Sequence, residues 1–431
     1  MPIKLSQRQL IIIGAGIVLV IVIFVLIFFY ARPKANTAAV VKLAVWGTED
    51  AGAFSAVAGT YPYATVSYTQ IDPANYQSQL LAALAAGTGP DVFEIGDRDL
   101  PKWLSVVAPM PATYAASFGP LQMAATFPDV VAQDFVANSS TYGLPLSIDT
   151  LAMIYNKDLF NSAGIAIPPK TWDQFDSDIA QLRQENASGQ ITQAAAAIGG
   201  SAASIPNAAD ILSLLMLQNG TEMTNAANTS AQFAAANGTG LAAFNFYLQF
   251  ANAASPYYTW NDGQGNAFDS FVAGKTAIIF AYQSDLATIK AKAPFLNVGI
   301  APVPQATGAT VAVNYPNYLG LVAAKAGQVS TAWNFILYLT TSDAIEKMYV
   351  TASGKPPAQR AEIQADESDP NLSVFATQAL TAKSWYEVDD TKIAGIFNTA
   401  IQNVFSGNED STKALNEAQA AVSALMYNNG Q

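Results

Sequence analysis

The chain opens with an uncharged apolar run, Leu10–Ala31, that has basic residues on both sides. As a helix with a rise of about 1.5 Å per residue this run is about 33 Å long, enough to cross the hydrocarbon layer of a membrane. A cleavable signal peptide is the alternative, but its apolar core is usually only about 7–15 residues long. We therefore expect an uncleaved single-pass anchor, with Lys4 and Arg8 on the cytoplasmic side and the rest of the chain extracellular or periplasmic.

After a polar tether at Pro33–Ala39, short apolar runs alternate with helical segments. The pattern predicts strands at Val40–Trp46, Thr65–Gln70 and Asp91–Gly96, and helices between them at Phe54–Gly59 and Tyr76–Ala86. Strands that alternate with helices favour an α/β fold, with a parallel sheet and right-handed connections. In such sheets ligands bind beyond the carboxyl ends of the strands, which are here Trp46–Glu49 and Gly96–Arg98.

The same alternation continues to the end of the chain. Further strands are predicted at Tyr142–Pro145, Ser147–Tyr155, Ala277–Tyr282, Val298–Pro302 and Tyr318–Ala323. Further helices are predicted at Trp172–Arg183, Asp210–Gln218, Leu241–Ala253, Thr331–Leu339, Leu372–Ala379, Ile393–Phe405 and Thr412–Met426. The low-complexity segment Asn225–Gly240 predicts a mobile surface loop. A body of this length favours two lobes over one.

The composition limits the kinds of functional site that the chain can contain. The chain has no histidine and no cysteine, so it has no histidine base, Ser-His-Asp triad, cysteine nucleophile, zinc finger, disulfide or lipidated cysteine. A net charge of −12 argues against a nucleic-acid partner, because a polyanion would be repelled. Aromatic residues make up 11% and charged residues 12%, a balance that favours a neutral, polyhydroxylated ligand. No cofactor and no metal are predicted, although a carboxylate-only active site or an oxygen-ligand calcium site remains open.

Several blocks of sequence, in a fixed order, carry a family resemblance. They are Ala85–Val92 (AAGTGPDV), Gly143–Phe160 (GLPLSIDTLAMIYNKDLF), Pro168–Trp172 (PPKTW), Asp269–Phe280 (DSFVAGKTAIIF), Ala332–Phe335 (AWNF) and Thr351–Pro357 (TASGKPP). Together they resemble the extracellular solute-binding proteins of ABC importers, in particular the carbohydrate-binding group around maltose-binding protein. The resemblance covers about Val41–Val422. Many Gram-positive relatives are tethered through a lipidated cysteine, which this chain lacks, and the apolar run can serve the same purpose.

The resemblance implies the two-lobed periplasmic-binding-protein fold of type II, with three crossovers and a ligand between the lobes. The crossovers are expected near Leu144–Ser147, Ile300–Val303 and Leu337–Thr341. Residues 1–39 would then form the tail, anchor and tether. Residues 40–145 and 302–338 would form the N-terminal lobe, and residues 146–301 and 339–431 the C-terminal lobe.

A sugar ring offers an apolar face to aromatic side chains and hydroxyl groups to polar ones. The candidate ligand-binding residues are therefore aromatic and polar side chains at strand ends and in loops: Trp46, Glu49, Asp97, Arg98, Asp149, Trp260, Tyr282, Tyr315, Tyr318 and Trp385. For Trp46 the alternative is packing in the core. For Asp97 and Arg98 it is a local ion pair, and for Asp149 it is a hydrogen bond between lobes.

The function that follows is a substrate-binding subunit of an ABC importer, not an enzyme. Its ligand would be a sugar or oligosaccharide, its partners the transmembrane subunits of the permease, and its outer part a monomer. One alternative is a membrane-anchored glycoside hydrolase, which needs two carboxylates about 5–10 Å apart. Another is a receptor subunit that senses a ligand without transporting it.

Overall fold

The computed structural model describes residues 41–365 and 369–429. In this part of the chain no helix is long and apolar enough to cross a membrane. The anchor predicted at Leu10–Ala31 lies outside the described residues and stays a prediction. What the structure describes is built around two hydrophobic cores, one for each of two lobes.

Strands and helices alternate along most of the described chain, as an α/β fold requires. The strands are β1 (Lys42–Gly47), β2 (Thr65–Gln70), β3 (Val92–Gly96), β4 (Val107–Ala108), β5 (Val136–Ala137), β6 (Ser140–Thr141), β7 (Gly143–Pro145), β8 (Asp149–Thr150), β9 (Ala152–Asn156), β10 (Gln184–Glu185), β11 (Ile191–Ala196), β12 (Thr276–Ala281), β13 (Val298–Ala301), β14 (Pro316–Asn317) and β15 (Leu319–Ala324). The helices are α1 (Ala51–Ala58), α2 (Pro73–Ala85), α3 (Leu100–Trp103), α4 (Ala112–Ala115), α5 (Pro120–Thr126), α6 (Asp129–Phe135), α7 (Lys157–Ser162), α8 (Trp172–Leu182), α9 (Ala208–Gln218), α10 (Thr239–Gln249), α11 (Ala267–Val272), α12 (Gln283–Lys292), α13 (Val329–Thr340), α14 (Asp343–Ser353), α15 (Arg360–Ala365), α16 (Ser373–Ala379), α17 (Asp390–Phe405) and α18 (Ser411–Asn429).

The sheet of the first lobe has the strand order β2–β1–β3–β15–β4, with β7 also paired to β15. β1 runs parallel to β2 and β3, whereas β15 runs antiparallel to β3. The parallel part agrees with the prediction made from alternating strands and helices. The antiparallel strand, β15, is far from β3 in the sequence. Local sequence patterns carry no information about the pairing of two such distant segments. Core side chains on both sides of this sheet, such as Val45, Phe93 and Trp333, are fully buried.

The sheet of the second lobe has the order β10–β11–β12–β9–β13. β11 and β12 are parallel, and β9 is antiparallel to both β12 and β13. β11 was absent from the prediction because half of its residues, ITQAAA, are alanine, which has a weak preference for strands. Its pairing with β12 and its burial therefore come from the tertiary structure.

The segment Asn225–Gly240 is attached to the second lobe, in contrast to the mobile loop that its low complexity predicts. Phe233 is fully buried in the second core, with its ring centre 6.5 Å from that of Trp385. The backbone N–H of Ala234 donates a hydrogen bond of 2.6 Å to Gln419 Oε1 on the last helix. A buried aromatic side chain and hydrogen bonds to the last helix thus fix a segment whose composition resembles a loop.

The chain passes between the two cores three times within the described residues. The crossings lie between Ile148 and Leu151, between Tyr315 and Tyr318, and between Ala382 and Trp385. The first two crossings are hydrogen-bonded to each other, because β8 pairs with β14 in an antiparallel two-stranded sheet. The first lies directly after the expected Leu144–Ser147, whereas the second lies later in the chain than the expected Ile300–Val303, because Val303 and Tyr315 are still buried in the second core.

The third crossing lies later in the chain than the expected Leu337–Thr341. α14, which the prediction placed in the C-terminal lobe, packs against α1 of the first lobe. Its Ile345 and Tyr349 are buried in the first core. The helix end near Thr341 is visible in the sequence, but the sequence does not say which sheet the next helix will cover. Residues 339–365 and 369–382 thus belong mainly to the first lobe, with α16 at the boundary between the cores.

Candidate functional site

A cavity of about 490 Å³ lies between the two lobes. The first lobe contributes residues that follow β3, the end of α6 and the hairpin β5–β6. The second lobe contributes the end of α9, the turn after it and the segment Ser384–Glu387. The volume falls within the range of about 300–1,000 Å³ that is usual for small-molecule sites.

The wall on the side of the first lobe ends in a tight hairpin. Only Asn138 and Ser139 connect β5 to β6, with φ angles of 50° and 61°. Positive φ at both central residues is what a two-residue hairpin turn of type I′ requires, and asparagine tolerates it better than most residues. The turn places Asn138 at the cavity.

Arg98 lies at the centre of a charged cluster that joins the lobes. Its guanidinium contacts Asp97 of the first lobe at 3.2 Å. From the second lobe it is approached by Glu387 at 3.4 Å, Asp390 at 3.6 Å and Asp210 at 3.9 Å. Arg98 is only 6% exposed, and its contacts with Asp97 and Glu387 are shielded from water, whereas the Asp210 and Asp390 side chains are partly open to it. One guanidinium therefore faces four carboxyl groups.

Three buried tyrosines orient acids of this cluster and its surroundings. Each donates a hydrogen bond from its hydroxyl group to one carboxylate oxygen: Tyr282 to Asp210 at 2.8 Å, Tyr315 to Glu387 at 3.2 Å and Tyr318 to Asp134 at 2.6 Å. Glu387 and Asp134 line the cavity, whereas the tyrosines lie behind its wall. The tyrosines thus fix the positions of these acidic side chains from behind the cavity wall.

Burial raises the pKa of the carboxyl groups in and beside the cavity. Loss of hydration is the largest cause for Asp97, Asp210 and Glu387, and the positive charge of Arg98 opposes it in each. Burial also raises the pKa of Asp134 to about 7, against the opposing hydrogen bonds from Ser384 and Tyr318. These groups hold a proton more firmly than free carboxylic acids do, because burial removes the water that would stabilise their charge and the single nearby cation, Arg98, offsets this only in part.

Two residues that line the cavity each contain a buried polar atom without a hydrogen-bond partner among the described residues: Trp385 Nε1 and Thr221 Oγ1. Trp385 is 5% exposed and Thr221 is 7% exposed. Leaving such a group without a partner costs about 1–3 kcal/mol, and buried polar groups in native proteins usually have one.

The structure brings together six of the residues named from the sequence. Asp97, Arg98 and Trp385 line the cavity. Tyr282, Tyr315 and Tyr318 contact the acids described above. The other predicted ligand residues, Trp46, Glu49, Asp149 and Trp260, do not line this cavity.

Trp260 and Trp46 pack against the two cores instead. Trp260 is fully buried in the second core, where its indole N–H donates a hydrogen bond of 3.0 Å to Ser204 Oγ. The preceding Thr259 accepts the backbone N–H of Ala195, which turns this aromatic segment towards the protein interior. Trp46 is half-buried against the first core, in agreement with its alternative interpretation.

The Glu49 carboxylate binds partners within the first lobe. Its carboxylate accepts hydrogen bonds from Lys355 Nζ at 2.6 and 2.7 Å and from the Tyr349 hydroxyl at 2.8 Å. Glu94 lies beside it, and burial together with the charge of Glu49 raises the pKa of Glu94 to about 8. This ion pair fastens the loop after β1 to the segment after α14.

Asp149 holds the start of a helix in the second lobe. Its carboxylate accepts the backbone N–H of Gln283 at 3.0 Å and of Ser284 at 3.1 Å, at the first turn of α12. A carboxylate at this end of a helix satisfies free N–H groups and complements the helix dipole. Asp149 thereby connects β8, the strand at the first crossing, to the second lobe.

Replacing Asp149 with alanine should therefore lower the free energy of unfolding by about 1–2 kcal/mol, because two N–H groups lose their acceptor. Asp149→Asn keeps one side-chain oxygen and should lose less. Chemical denaturation of both variants measures the difference. Equal stability of Asp149→Ala and the unmodified chain would rule out the capping role.

Sequence reasoning missed Asp134, Thr221, Ser384 and Glu387, which also line the cavity. Asp134 carried one usable signal, since it is a single acid near the end of the largely apolar stretch VVAQDF. Ser384 and Glu387 flank the two aromatic residues Trp385 and Tyr386. Thr221 follows a helix-ending Gly220 and carries no such signal.

The family of bacterial extracellular solute-binding proteins matches residues 46–346 of this chain. The multiple sugar-binding protein of Streptococcus mutans is 24% identical over 265 residues, which are 59% of this chain and 59% of that protein. Among solved structures, the cyclic alpha-maltosyl-1,6-maltose binding protein of Arthrobacter globiformis has a TM-score of 0.75 at 18% identity, covering 90% of this chain and 100% of that one. The sugar-binding protein MalE of Xanthomonas citri has a TM-score of 0.75 at 20% identity, covering 90% of this chain and 98% of that one.

The likeness to these structures confirms the fold class predicted for the body of the chain. It is the two-lobed, type II periplasmic-binding-protein fold with mixed α/β content. The family match extends over more than half of the sequence and includes most of the blocks on which the resemblance was based. This chain is a member of the bacterial extracellular solute-binding protein family.

Proposed function

We propose that this protein is the substrate-binding subunit of an ABC-type importer, and that it captures a sugar or oligosaccharide between its lobes for delivery to the permease. The observation that carries the proposal is the interlobe cavity, which both lobes line with polar side chains and to which the second lobe adds the aromatic pair Trp385 and Tyr386. Sugar hydroxyl groups both donate and accept hydrogen bonds, so they suit a wall of polar side chains. The names of the Streptococcus mutans relative and of the two structural neighbours support a carbohydrate ligand.

Aromatic side chains add an apolar contact to these polar ones. Trp385 and Tyr386 are adjacent cavity residues, and aromatic rings stack on the C–H faces of sugars. The ring of Trp385 is held by Phe233 and Phe397, with ring centres 6.5 and 6.1 Å away. A ring that is already fixed loses little conformational freedom when a ligand binds.

The chain path provides for a change between open and closed states. Thr221 and Trp385 come from the second lobe, whereas Asp97 and Asn138 come from the first. A ligand that contacts both lobes stabilises their closed arrangement, and a permease that recognises this arrangement receives only loaded protein. Three short crossings allow the lobes to rotate relative to each other as rigid bodies.

The state of the carboxyl groups supports binding in preference to glycoside hydrolysis. Both oxygens of Asp134 accept hydrogen bonds, from Ser384 and from Tyr318. Glu387 is engaged by Tyr315 and Arg98. A hydrolase needs one carboxyl group free to give a proton to the leaving oxygen and another free to attack or to activate water. The family and the structural neighbours are likewise binding proteins.

The apolar run Leu10–Ala31 supports a further part of the proposal, anchoring of the protein at the cell membrane with its body outside. Tethering keeps a binding protein at high local concentration near its permease, on the order of mM for a short flexible linker. The anchor would thus replace the lipidated cysteine of other family members.

The direct test is a thermal melt of the full chain in detergent with a panel of carbohydrates, amino acids and peptides. A carbohydrate at about 100 times its Kd should raise the free energy of unfolding by about 2.7 kcal/mol, which for a chain of this length is a shift of roughly 3 °C. Amino acids and peptides should give no shift, and chromatography should find no cleavage of the sugar that binds. Absence of a shift with every carbohydrate in the panel would overturn the proposal.

Matched tryptophan variants locate the ligand. Trp385→Phe replaces the indole at the cavity wall with a smaller ring, and we expect it to weaken sugar binding about tenfold, which corresponds to about 1.4 kcal/mol of lost contact. Trp260→Phe removes an indole N–H from the second core and should leave the affinity unchanged. Equal effects of the two substitutions on affinity would place the ligand elsewhere.

A further inference from the structure

We propose that one edge of the first-lobe sheet is a membrane-contact surface, which binds an anionic lipid bilayer through Tyr63, Lys42 and Lys325. It is the edge at which β1 and β2 begin and β15 ends, and we call it the entry edge because the chain enters the first lobe there. This role rests on the anchoring part of the proposed function, because it requires the body to lie near a membrane. It goes further in giving side chains of the folded body a lipid partner.

The pairing of the strands shows that the entry edge is one place in the fold. β1 and β2 are parallel, and their first residues, Lys42 and Thr65, are paired. β15 is antiparallel to β3 and ends at Ala324, so Lys325 follows it at the same edge. Gln328, in the turn after β15, donates a hydrogen bond of 2.8 Å from Nε2 to the carbonyl oxygen of Lys42. The start of β1 and the turn after β15 are therefore in direct contact.

The length of chain before β1 limits how far the entry edge can lie from an anchored run. In the sequence, about ten residues, Arg32–Val41, separate the apolar run Leu10–Ala31 from Lys42. Such a segment spans at most about 36 Å even when it is fully extended. A body of about 390 residues has a radius of gyration of about 21 Å and a diameter of roughly 50 Å. Because the segment is shorter than the body is wide, the entry edge is the part of the body that an anchored chain keeps nearest the membrane.

Tyrosine side chains lie together beside the entry edge. Tyr61 and Tyr63, in the segment that leads into β2, have ring centres 5.6 Å apart, and the ring of Tyr338 on α13 is 5.3 Å from that of Tyr61. The hydroxyl groups of Tyr61 and Tyr338 donate hydrogen bonds within the lobe, to Asn334 Oδ1 at 2.7 Å and to the carbonyl oxygen of Thr60 at 3.0 Å. These two rings are fixed, and Tyr63, which packs on Tyr61, is 69% exposed. Tyrosine is enriched where a membrane meets water, because its ring suits the lipid boundary and its hydroxyl group suits the head groups.

The charge of the entry edge is opposite in sign to the net charge of the chain. Lys42 and Lys325 are exposed there. Asp91, in the loop before β3, is engaged, because its two carboxylate oxygens accept backbone N–H groups at 2.9 and 3.1 Å. Arg32 and Lys34 add positive charge in the segment before β1. A chain with a net charge of −12 thus presents cations at this edge, and each cation near an anionic membrane strengthens binding about fivefold.

Contact at the entry edge leaves the interlobe cavity open to solutes. Asp97 and Arg98 line the cavity and follow the last residue of β3. β3 runs parallel to β1, so the strand ends at the cavity and the strand starts at the entry edge lie on opposite edges of the sheet. A body held to the membrane at one edge can therefore still take up a ligand at the other.

The test uses single thiols, since the chain contains no cysteine of its own. Thr65 and Thr69 are a matched pair, because both are exposed on the same face of β2 and differ in distance from the entry edge by about 13 Å. The full chain, as Thr65→Cys or Thr69→Cys with a fluorophore on the thiol, is placed in lipid nanodiscs that hold one copy each. Quenching by lipids with a nitroxide on the head group then measures contact. In anionic lipid, quenching should be at least about twofold stronger at position 65, and equal quenching at both positions would overturn the proposal.

Two further changes separate lipid contact from proximity imposed by the short segment before β1. Tyr63→Ser, combined with Thr65→Cys, should lower quenching at position 65 to the level at position 69, and replacing anionic with neutral lipid should also lower it. Tyr427→Ser is the matched control, because Tyr427 on α18 is 67% exposed but belongs to the other lobe, and it should change nothing. Quenching at position 65 that does not respond to either change would show proximity without binding and would overturn the proposal.

Failure of this role and failure of the proposed function give different results. If the full chain does not float with lipid vesicles in a density gradient, the anchor is wrong and the membrane-contact surface is wrong with it. If the chain floats and binds a carbohydrate while both labelled positions are quenched equally, only the membrane-contact surface is wrong.

Discussion

Replacing Arg98 with methionine should lower the free energy of unfolding by about 3–5 kcal/mol at neutral pH, because it removes one partner from a buried network of charges. Methionine fills much of the space of the arginine stem, so the effect reports the charge more than the volume. Asp97, Asp210, Glu387 and Asp390 would then face one another across the lobe boundary without a cation. Chemical denaturation at several pH values measures the loss.

The loss should become smaller as the pH falls from about 8 to about 5. Burial raises the pKa of Asp97, Asp210 and Glu387 even with arginine present, and removal of the positive charge raises it further. A group whose pKa is raised on folding favours the folded state below its unfolded pKa, and this contribution disappears as the pH rises through the folded pKa. Acid therefore neutralises the repelling groups and restores part of the stability of the variant.

Arg183→Met is the matched control. Arg183 also pairs with an acid, Glu185, at 2.9 Å, but this pair lies at the surface with 22% and 37% of the two side chains exposed. Exposed pairs contribute about 0–1 kcal/mol. If Arg98→Met destabilises no more than Arg183→Met, the network around Arg98 does not hold the lobes together as described.

The second large effect concerns the attached segment Asn225–Gly240. Replacing Gly240 with alanine should lower the free energy of unfolding by about 2–3 kcal/mol, since an added Cβ would lie 1.8 Å from the carbonyl oxygen of Phe233. That oxygen belongs to the backbone, so no side-chain rotation relieves the clash. Phe233 packs on Trp385, and the displacement should also weaken ligand binding. Denaturation and ligand titration measure the two losses.

Gly395→Ala provides the comparison within the same lobe. An added Cβ at Gly395, in the middle of α17, meets no atom within 4 Å. Alanine there should stabilise the protein by about 0.5–1 kcal/mol, because it reduces the freedom of the unfolded chain. If Gly240→Ala were as stable as the unmodified protein, the segment around Phe233 would be free to move aside, as the sequence predicted.

Local sequence patterns predicted the strands and helices at the start of the first lobe. β1, β2 and β3 carry apolar or alternating runs with helices between them, and this pattern predicts their parallel arrangement. The insertion of β15 between β3 and β4 joins segments that are far apart in the chain. No periodicity records such a pairing, and the same reason explains why the lobe assignment of α14 differed from the prediction.

For the site, the rule that ligands meet the carboxyl ends of strands was most useful at Asp97 and Arg98, which follow β3 and line the cavity. It was less useful for loops, because tertiary contacts decide the direction of a loop. Trp260 turns inward to Ser204, whereas Trp385, in a similar aromatic segment, reaches the cavity. Sequence alone does not distinguish these two tryptophans.

The three crossings also determine when folding can be completed. The first core includes Ile363 and Ala382, and the second includes Leu415 and Val422, so each draws on residues near the end of the chain. Because a protein is synthesised from its amino terminus, neither half can close its core until almost the whole polypeptide has left the ribosome. An unfinished chain can pass through a narrow channel that a folded half would block. The interleaved order of segments thus delays completion of both cores until late in synthesis, which suits a member of a family of extracellular proteins.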